Sequence, residues 1–130
     1  MLTKEQAWEL FQDRYFDLVD SGEMEKAATI FHDDVEWIHT QVWEHDEHQR
    51  DKGSDRLKGK AQVEALLKGR TESMSKENVR HILQEMVFDG NKGAFIAHVK
   101  GADKEVPLIA WFELKDEKVY RYIVGPLFLP

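Results

Sequence analysis

Chemistry in this chain has to be done by oxygen and imidazole groups. Its 130 residues include six histidines, three tyrosines and no cysteine. The missing cysteine removes disulfides, thiolate zinc sites and cysteine nucleophiles together. A neutral imidazole is the natural base near pH 7, because its reference pKa is ~6.5. Three histidines fall on alternating stretches. His81 shares a face with Val79 and Leu83, and points towards the helices if that face is the inner one. His39 lies on the face of Val35 and Trp37, and His98 alternates with Ala94 and Ile96. Each reads in two ways: as an acid–base or pocket group, or as a core histidine with its hydrogen bonds satisfied. Glu44-His45-Asp46-Glu47-His48 offers carboxylates and two histidines three apart, from which metal ligands could be assembled. No fixed zinc signature is present, and a charged run of this kind reads as solvated surface, so no metal is expected. No phosphate loop, dinucleotide fingerprint or serine elbow occurs. Ser54, Ser73 and Ser75 stand in polar stretches without a neighbouring base.

The elements that must position these groups follow from hydrophobic period. Thr3-Lys4-Glu5-Gln6 is a capping box. Ala7, Leu10, Phe11, Arg14, Tyr15, Leu18 and Val19 then recur at helical spacing, and Ser21-Gly22 ends the helix. A short second helix carries Met24, Ala27, Ala28 and Phe31 inward, and Asp33-Asp34 turns the chain. From Val35 to Trp43 the period becomes alternating, as in a strand. Residues 44–58 hold almost nothing apolar and read as a long solvated loop. A third helix starts near Lys60, with Val63, Leu66 and Leu67 inward and Gly69 near its end. Val79–Asp89 and Ala94–Gly101 form a hairpin around Asp89-Gly90-Asn91-Lys92-Gly93. Leu108–Leu114 and Lys118–Val124 form a second one. Helices gathered before a run of antiparallel strands give an α+β domain, with the whole chain, 1–130, as one unit.

The net charge of −7, from 18 basic and 25 acidic residues, argues against a nucleic-acid surface. The N-terminal stretch is interrupted by polar residues every few positions. It reads as neither a signal peptide nor a membrane span, so a cytoplasmic protein is expected.

The order of elements, together with RYFDLVDSGEMEKAATIFHDDVEW and the Leu57-Lys58-Gly59-Lys60 entry to the third helix, resembles the SnoaL-like superfamily, whose cone-shaped fold is shared with nuclear transport factor. The resemblance implies a curved antiparallel sheet with three helices of the N-terminal half packed on its concave face, around a deep apolar pocket. The superfamily holds ketosteroid isomerases, cyclases, dehydratases and members with no chemistry. Tyr15 matches the tyrosine that holds substrate oxygen in ketosteroid isomerases and bile-acid dehydratases. Asp20 and His81 match the aspartate–histidine dyad of the dehydratases. His39 falls where the isomerases place a catalytic aspartate. The isomerases' second acid has no counterpart, since Leu108 or Ala110 occupies its region, and the dehydratases' distal arginine has no secure match.

The resemblance therefore implies elimination or dehydration of a small hydrophobic molecule without a cofactor. His81 is the base, Asp20 its orienting partner, Tyr15 the hydrogen-bond donor, and His39 a second acid–base group. Phe16, Trp37, Phe95, Trp111 and Phe112 make the apolar wall, with His98 also facing the pocket. One geometric point stands against this. On an ideal helix five residues span ~140°, which puts Asp20 on the polar side while Tyr15 sits on the apolar stripe. Asp20 could equally bond backbone at the helix end, and Tyr15 could be a core tyrosine. The alternative is a non-catalytic ligand-binding or dimerisation module of the same fold, or an isomerase or cyclase. Asp20 and His81 within ~2.6–3.2 Å of each other beside an open pocket favour the enzyme. The apolar tail Pro126-Leu127-Phe128-Leu129-Pro130 is expected to cap the pocket or pack on a second subunit. A homodimer through the sheet follows from the family and from a convex face bearing Ile109, Tyr120, Tyr122 and Val124.

Overall fold

A computed structural model describes residues 1–44 and 49–127, with the side chains of 72–77 left aside. Thr3 and Gln6 exchange the two hydrogen bonds of a capping box, at 2.8 and 3.1 Å. Helix α1 (Lys4–Phe11) continues through a π turn (Gln12–Phe16) into α2 (Asp17–Asp20), forming one helical rod. The rod stops at Gly22, whose φ of 83° needs no Cβ to be accommodated. α3 (Met24–Ala27) and a 3-10 turn (Ala28–Ile30) lead directly into β1 (Phe31–Thr40). Asp33 and Asp34 make no turn; they lie within β1, where its register against β6 (Lys118–Pro126) is broken between Phe31 and Glu36.

The stretch 44–58, read as all loop, contains β2 (Ser54–Lys58), which pairs antiparallel with β1. Its polar composition hid it, because an edge strand over a sheet rim buries only alternate residues, here Asp55 and Leu57 by half. α4 (Lys60–Glu77) runs straight through Gly69. β3 (Arg80–Asp89), β4 (Lys92–Lys100), β5 (Glu105–Lys115) and β6 complete a sheet of order β2-β1-β6-β5-β4-β3. The β5–β6 turn places Asp116 and Glu117 at positive φ, the geometry that matches strand twist. The sheet is mixed rather than wholly antiparallel, since β1 and β6 run parallel. The helices pack on its curved inner face, so the α+β cone holds with one parallel pair added.

Two bulges set which side chains face inward. Gln84 is the unpaired residue between Leu83↔Ala97 and Glu85↔Ile96, so Leu83 and Met86 both point in. Tyr120 is the unpaired residue between Leu114↔Val119 and Glu113↔Arg121. Beyond it the alternation reverses, which corrects the expected convex face. Ile109 and Tyr120 are exposed, whereas Tyr122 and Val124 are buried. The core gathers around Phe11, whose ring lies 4.9 Å from Phe95, 4.6 Å from Phe112 and 5.8 Å from Tyr122. Burying such a ring fully is worth ~1.5–3 kcal/mol. No helix among the described residues is long and apolar enough to cross a membrane. The Leu127 N–H donates to the Pro107 carbonyl at 2.9 Å. Residues 128–130 of the tail, and 45–48 of the acidic and histidine run, lie outside the described residues.

Candidate active site

β3 is an edge strand, and an edge leaves alternate backbone groups without a ladder partner. The helical rod supplies those partners. Gln12 Nε2 donates to the His81 carbonyl at 2.9 Å, and Gln12 Oε1 accepts from the Leu83 N–H at 2.7 Å. Asp20 Oδ2 accepts from the His81 N–H at 2.7 Å. Two side chains thus dock the rod along β3.

The π turn makes this docking possible. The Asp17 N–H bonds to the Gln12 carbonyl, an i to i+5 closure that takes up one extra residue. From Phe11 to Asp20 a regular helix would rotate ~180°; with one residue absorbed the rotation falls to ~80°. Asp20 therefore swings off the solvent face, and neighbouring Tyr15 and Phe16 are both buried.

At the centre, Asp20 Oδ1 lies 2.6 Å from His81 Nδ1. The imidazole stacks on Phe16, with centroids 5.0 Å apart and planes 10° from parallel. The His81 and Asp20 side chains are only 14% and 11% exposed. Ring position and tilt are thereby fixed from two directions.

A second cluster comes from the other end of the sheet. His39 and Asp55 are register partners across β1 and β2, with Nδ1 and Oδ2 3.8 Å apart, too far for a hydrogen bond. Arg70 of α4 reaches Asp55 Oδ2 at 2.7 Å. His39 stacks on Trp37, with centroids at 5.0 Å. Burial pushes the His39 pKa below its usual value; the Asp55 carboxylate opposes this, while Arg70 and His81 reinforce it. His39 and Arg70 together hold the Asp55 carboxyl below the usual carboxylate range. Burial pushes the Tyr15 hydroxyl up, and Arg70 and the Trp37 indole pull against it. Tyr122 is likewise raised by burial.

Both clusters open onto one cavity of about 70 Å³, lined by Tyr15, Phe16, Trp37, His39, Arg70 and His81 among others. That is several-fold below the ~300–1,000 Å³ of ordinary ligand sites. Asp20 stands behind His81. The rest of the expected wall is elsewhere. Phe95 and Phe112 are core residues, drawn around Phe11 rather than into the cavity lining. Trp111 is 40% exposed on the outer face, its indole donating to Glu113 at 2.9 Å. His98 also faces outward and pairs with Glu105. Pleat parity explains both, since their neighbours Ala97, Val99, Ala110 and Phe112 take the inner face.

Sequence reasoning missed Gln12, Gln41, Asp55, Arg70 and Tyr122. Arg70 carried a legible signal: with Val63, Leu66 and Leu67 it continues an i, i+3, i+4, i+7 stripe, placing a cation on the inner face. Gln12 carried none, because its inward turn depends on the π closure. Among the described residues no group of three or more histidine or carboxylate side chains is placed to hold a metal.

The model of the SnoaL-like domain family matches residues 13–122. No curated protein matches the sequence. Solved structures with the same fold include a SnoaL-like protein of unknown function from Burkholderia thailandensis, at 16% identity and TM-score 0.71, covering 98% of this chain and 100% of that one. A Kribbella flavida protein named for ketosteroid isomerase has 17% identity and TM-score 0.67, covering 97% and 81%. A Sinorhizobium meliloti protein named for polyketide cyclase has 21% identity and TM-score 0.58, covering 86% and 90%. At these identities the likeness shows the fold alone.

Proposed function

The chain belongs to the SnoaL-like domain family, and from that premise we propose a cofactor-free acid–base enzyme of lyase or isomerase type, acting on a small hydrophobic carbonyl compound. The observation that carries this reading is the Asp20–His81 contact at 2.6 Å on the wall of a mostly apolar cavity. With Nδ1 committed to Asp20, Nε2 is the nitrogen left to take a proton. Asp20 fixes that tautomer and stabilises the imidazolium that forms, as carboxylates do for histidine bases elsewhere.

In this mechanism Nε2 removes a proton from the carbon beside the substrate carbonyl. The electron pair moves onto the carbonyl oxygen, where the Tyr15 hydroxyl donates a hydrogen bond to the developing charge. In an elimination the pair returns to expel a hydroxyl on the next carbon, which leaves as water with the proton held by His81. In an isomerisation the same proton is returned to a different carbon. The apolar lining excludes water and strengthens both interactions. His39, kept neutral by burial, is the second acid–base candidate. General-base catalysis supplies ~10²–10⁴-fold, so His81→Ala is expected to lower turnover by that factor. Full activity in His81→Ala ends the assignment.

The small cavity is the one observation that favours the other reading, a binding module without chemistry. Proton exchange from a bound carbonyl compound separates the two. We also propose a homodimer through the sheet. Val87, Ala94 and Trp111 form a cross-strand row with Ile109 beside it, and Val87, Ile109 and Trp111 are 65%, 44% and 40% exposed. A monomer mass by light scattering at micromolar concentration would contradict that.

A further inference from the structure

The cavity is lined by several side chains that carry unpaired buried polar atoms. Among the described residues, Trp37 Nε1, Trp43 Nε1 and Arg70 Nε are buried with no hydrogen bond of ordinary length, although the Tyr15 hydroxyl lies near the Trp37 indole, and all three residues line the cavity. Indole and guanidinium nitrogens can only donate, so none can satisfy another. Buried polar groups are otherwise nearly always paired. Asp55 engages one terminal nitrogen of Arg70, leaving the Nε–H uncommitted. The unpaired acceptor Gln41 Oε1 does not balance the set, because Gln41 is anchored by donating Nε2 to the Trp43 carbonyl at 2.6 Å. The remaining unpaired atom is His39 Nδ1. Around these groups the wall is hydrocarbon, from Val19, Met24, Leu67 and Val124.

We propose that this cluster is an anion subsite, and that the ligand of the cavity is a short hydrophobic carboxylic acid whose carboxylate is bound by Arg70 and the indoles of Trp37 and Trp43. The inference rests on the reading of this cavity as the substrate site and adds the substrate's charged end. A carboxylate brings two oxygens and about four acceptor positions, which suits three unpaired donors on residues of one cavity wall, one of them cationic. A neutral carbonyl supplies a single oxygen and no charge. A cavity of about 70 Å³ admits the carboxylate with only a few carbons, so the acid is small.

The test follows the four indole N–H resonances of the nitrogen-15-labelled protein during titration with propionate and butyrate, and separately with propionamide and butyramide. Trp8 and Trp111 serve as internal references, since Trp111 already donates to Glu113. The expected result is saturable movement of the Trp37 and Trp43 signals with at least one acid, and binding of its amide weaker by about tenfold or more. Arg70→Gln is expected to weaken the acid roughly 10–100-fold. Asp55→Asn leaves the guanidinium in place and removes a competing charge, so it is expected to hold the acid at least as tightly as the native protein. Still Trp37 and Trp43 signals with both acids, equal response to acid and amide, or weaker acid binding in Asp55→Asn each overturn the proposal. His81→Ala separates this from the catalytic reading: it removes proton exchange while acid binding persists.

Discussion

Both oxygens of the Asp20 carboxylate end on His81, Oδ2 on the backbone N–H at 2.7 Å and Oδ1 on ring Nδ1 at 2.6 Å. One side chain thus anchors an edge strand and orients the imidazole that the strand carries. Structural and catalytic roles are usually offered as alternatives for such a residue; here they share one carboxylate, and substitution can separate them.

Asp20→Ala removes both contacts and leaves a half-buried N–H without a partner, a loss of ~1–3 kcal/mol in stability. Asp20→Asn keeps an oxygen for the N–H but presents an amide N–H to Nδ1. Nδ1 must then accept, the proton moves to Nε2, and the base is lost. Asn is therefore expected to unfold in urea within ~1 kcal/mol of the native protein while turnover falls ~10²–10⁴-fold. Equal losses of stability and activity in Asn and Ala would reduce Asp20 to a structural anchor.

Gln12 is the second anchor, and its effect is local. Gln12→Ala frees the Leu83 N–H and the His81 carbonyl together. Amide hydrogen exchange at Leu83 is expected to accelerate far more than at residues of β5, with global stability lowered by ~1–3 kcal/mol. Unchanged protection at Leu83 would mean that solvent or another group satisfies the strand edge.

His39 makes stability depend on pH. Burial lowers its folded pKa, so near pH 6 the unfolded chain binds a proton that the folded protein refuses. Stability is then full above ~6.5, the unfolded value, and declines as pH falls below it. The groups facing the ring are Asp55, Arg70 and His81. The depressed carboxyls of Asp55, Glu23, Glu105 and Glu113 act only below their ordinary values of 3.8 and 4.5, outside this window. Urea midpoints at pH 7 and pH 5.5 are expected to differ for the native protein and to converge in His39→Gln. A variant that keeps the native slope assigns it elsewhere.

Gly101 seats one wall of the cavity. A Cβ there would collide with the Trp43 ring, over which the Lys104 ammonium lies 4.3 Å from the centroid. Gly101→Ala must displace the indole, at ~1–3 kcal/mol, and is expected to shift tryptophan fluorescence without altering secondary structure. Native fluorescence and stability in that variant would contradict the packing.

Period and capping signals located the three helical regions, both late hairpins and the inner placement of Phe11 and Tyr15. They could not reveal β2, because Asp55 and Leu57 are only half-buried at a polar rim. Nor could they place Tyr122, whose inward turn follows from a bulge at Tyr120. Trp111 and His98 were misplaced for a simpler reason: alternation gives two faces, and nothing local says which is inner. Asp20 shows the same limit in a helix. Ideal geometry sends it to solvent, and the π turn that returns it has no sequence signature. The residue resemblance linked Asp20 to His81 where periodicity argued against it.

The most direct test of the dyad is deuterium exchange in heavy water at neutral pH. Small hydrophobic acids bearing a carbonyl are incubated with native protein and with His81→Ala, and isotope incorporation beside the carbonyl is read by mass spectrometry. The exchange precedes any elimination, isomerisation or cyclisation, so it reports the base without knowledge of the product. The native protein is expected to exchange at least one of them ~10²–10⁴-fold faster than His81→Ala. Equal rates in the two proteins, for a compound shown to bind the cavity, would contradict His81 as the base.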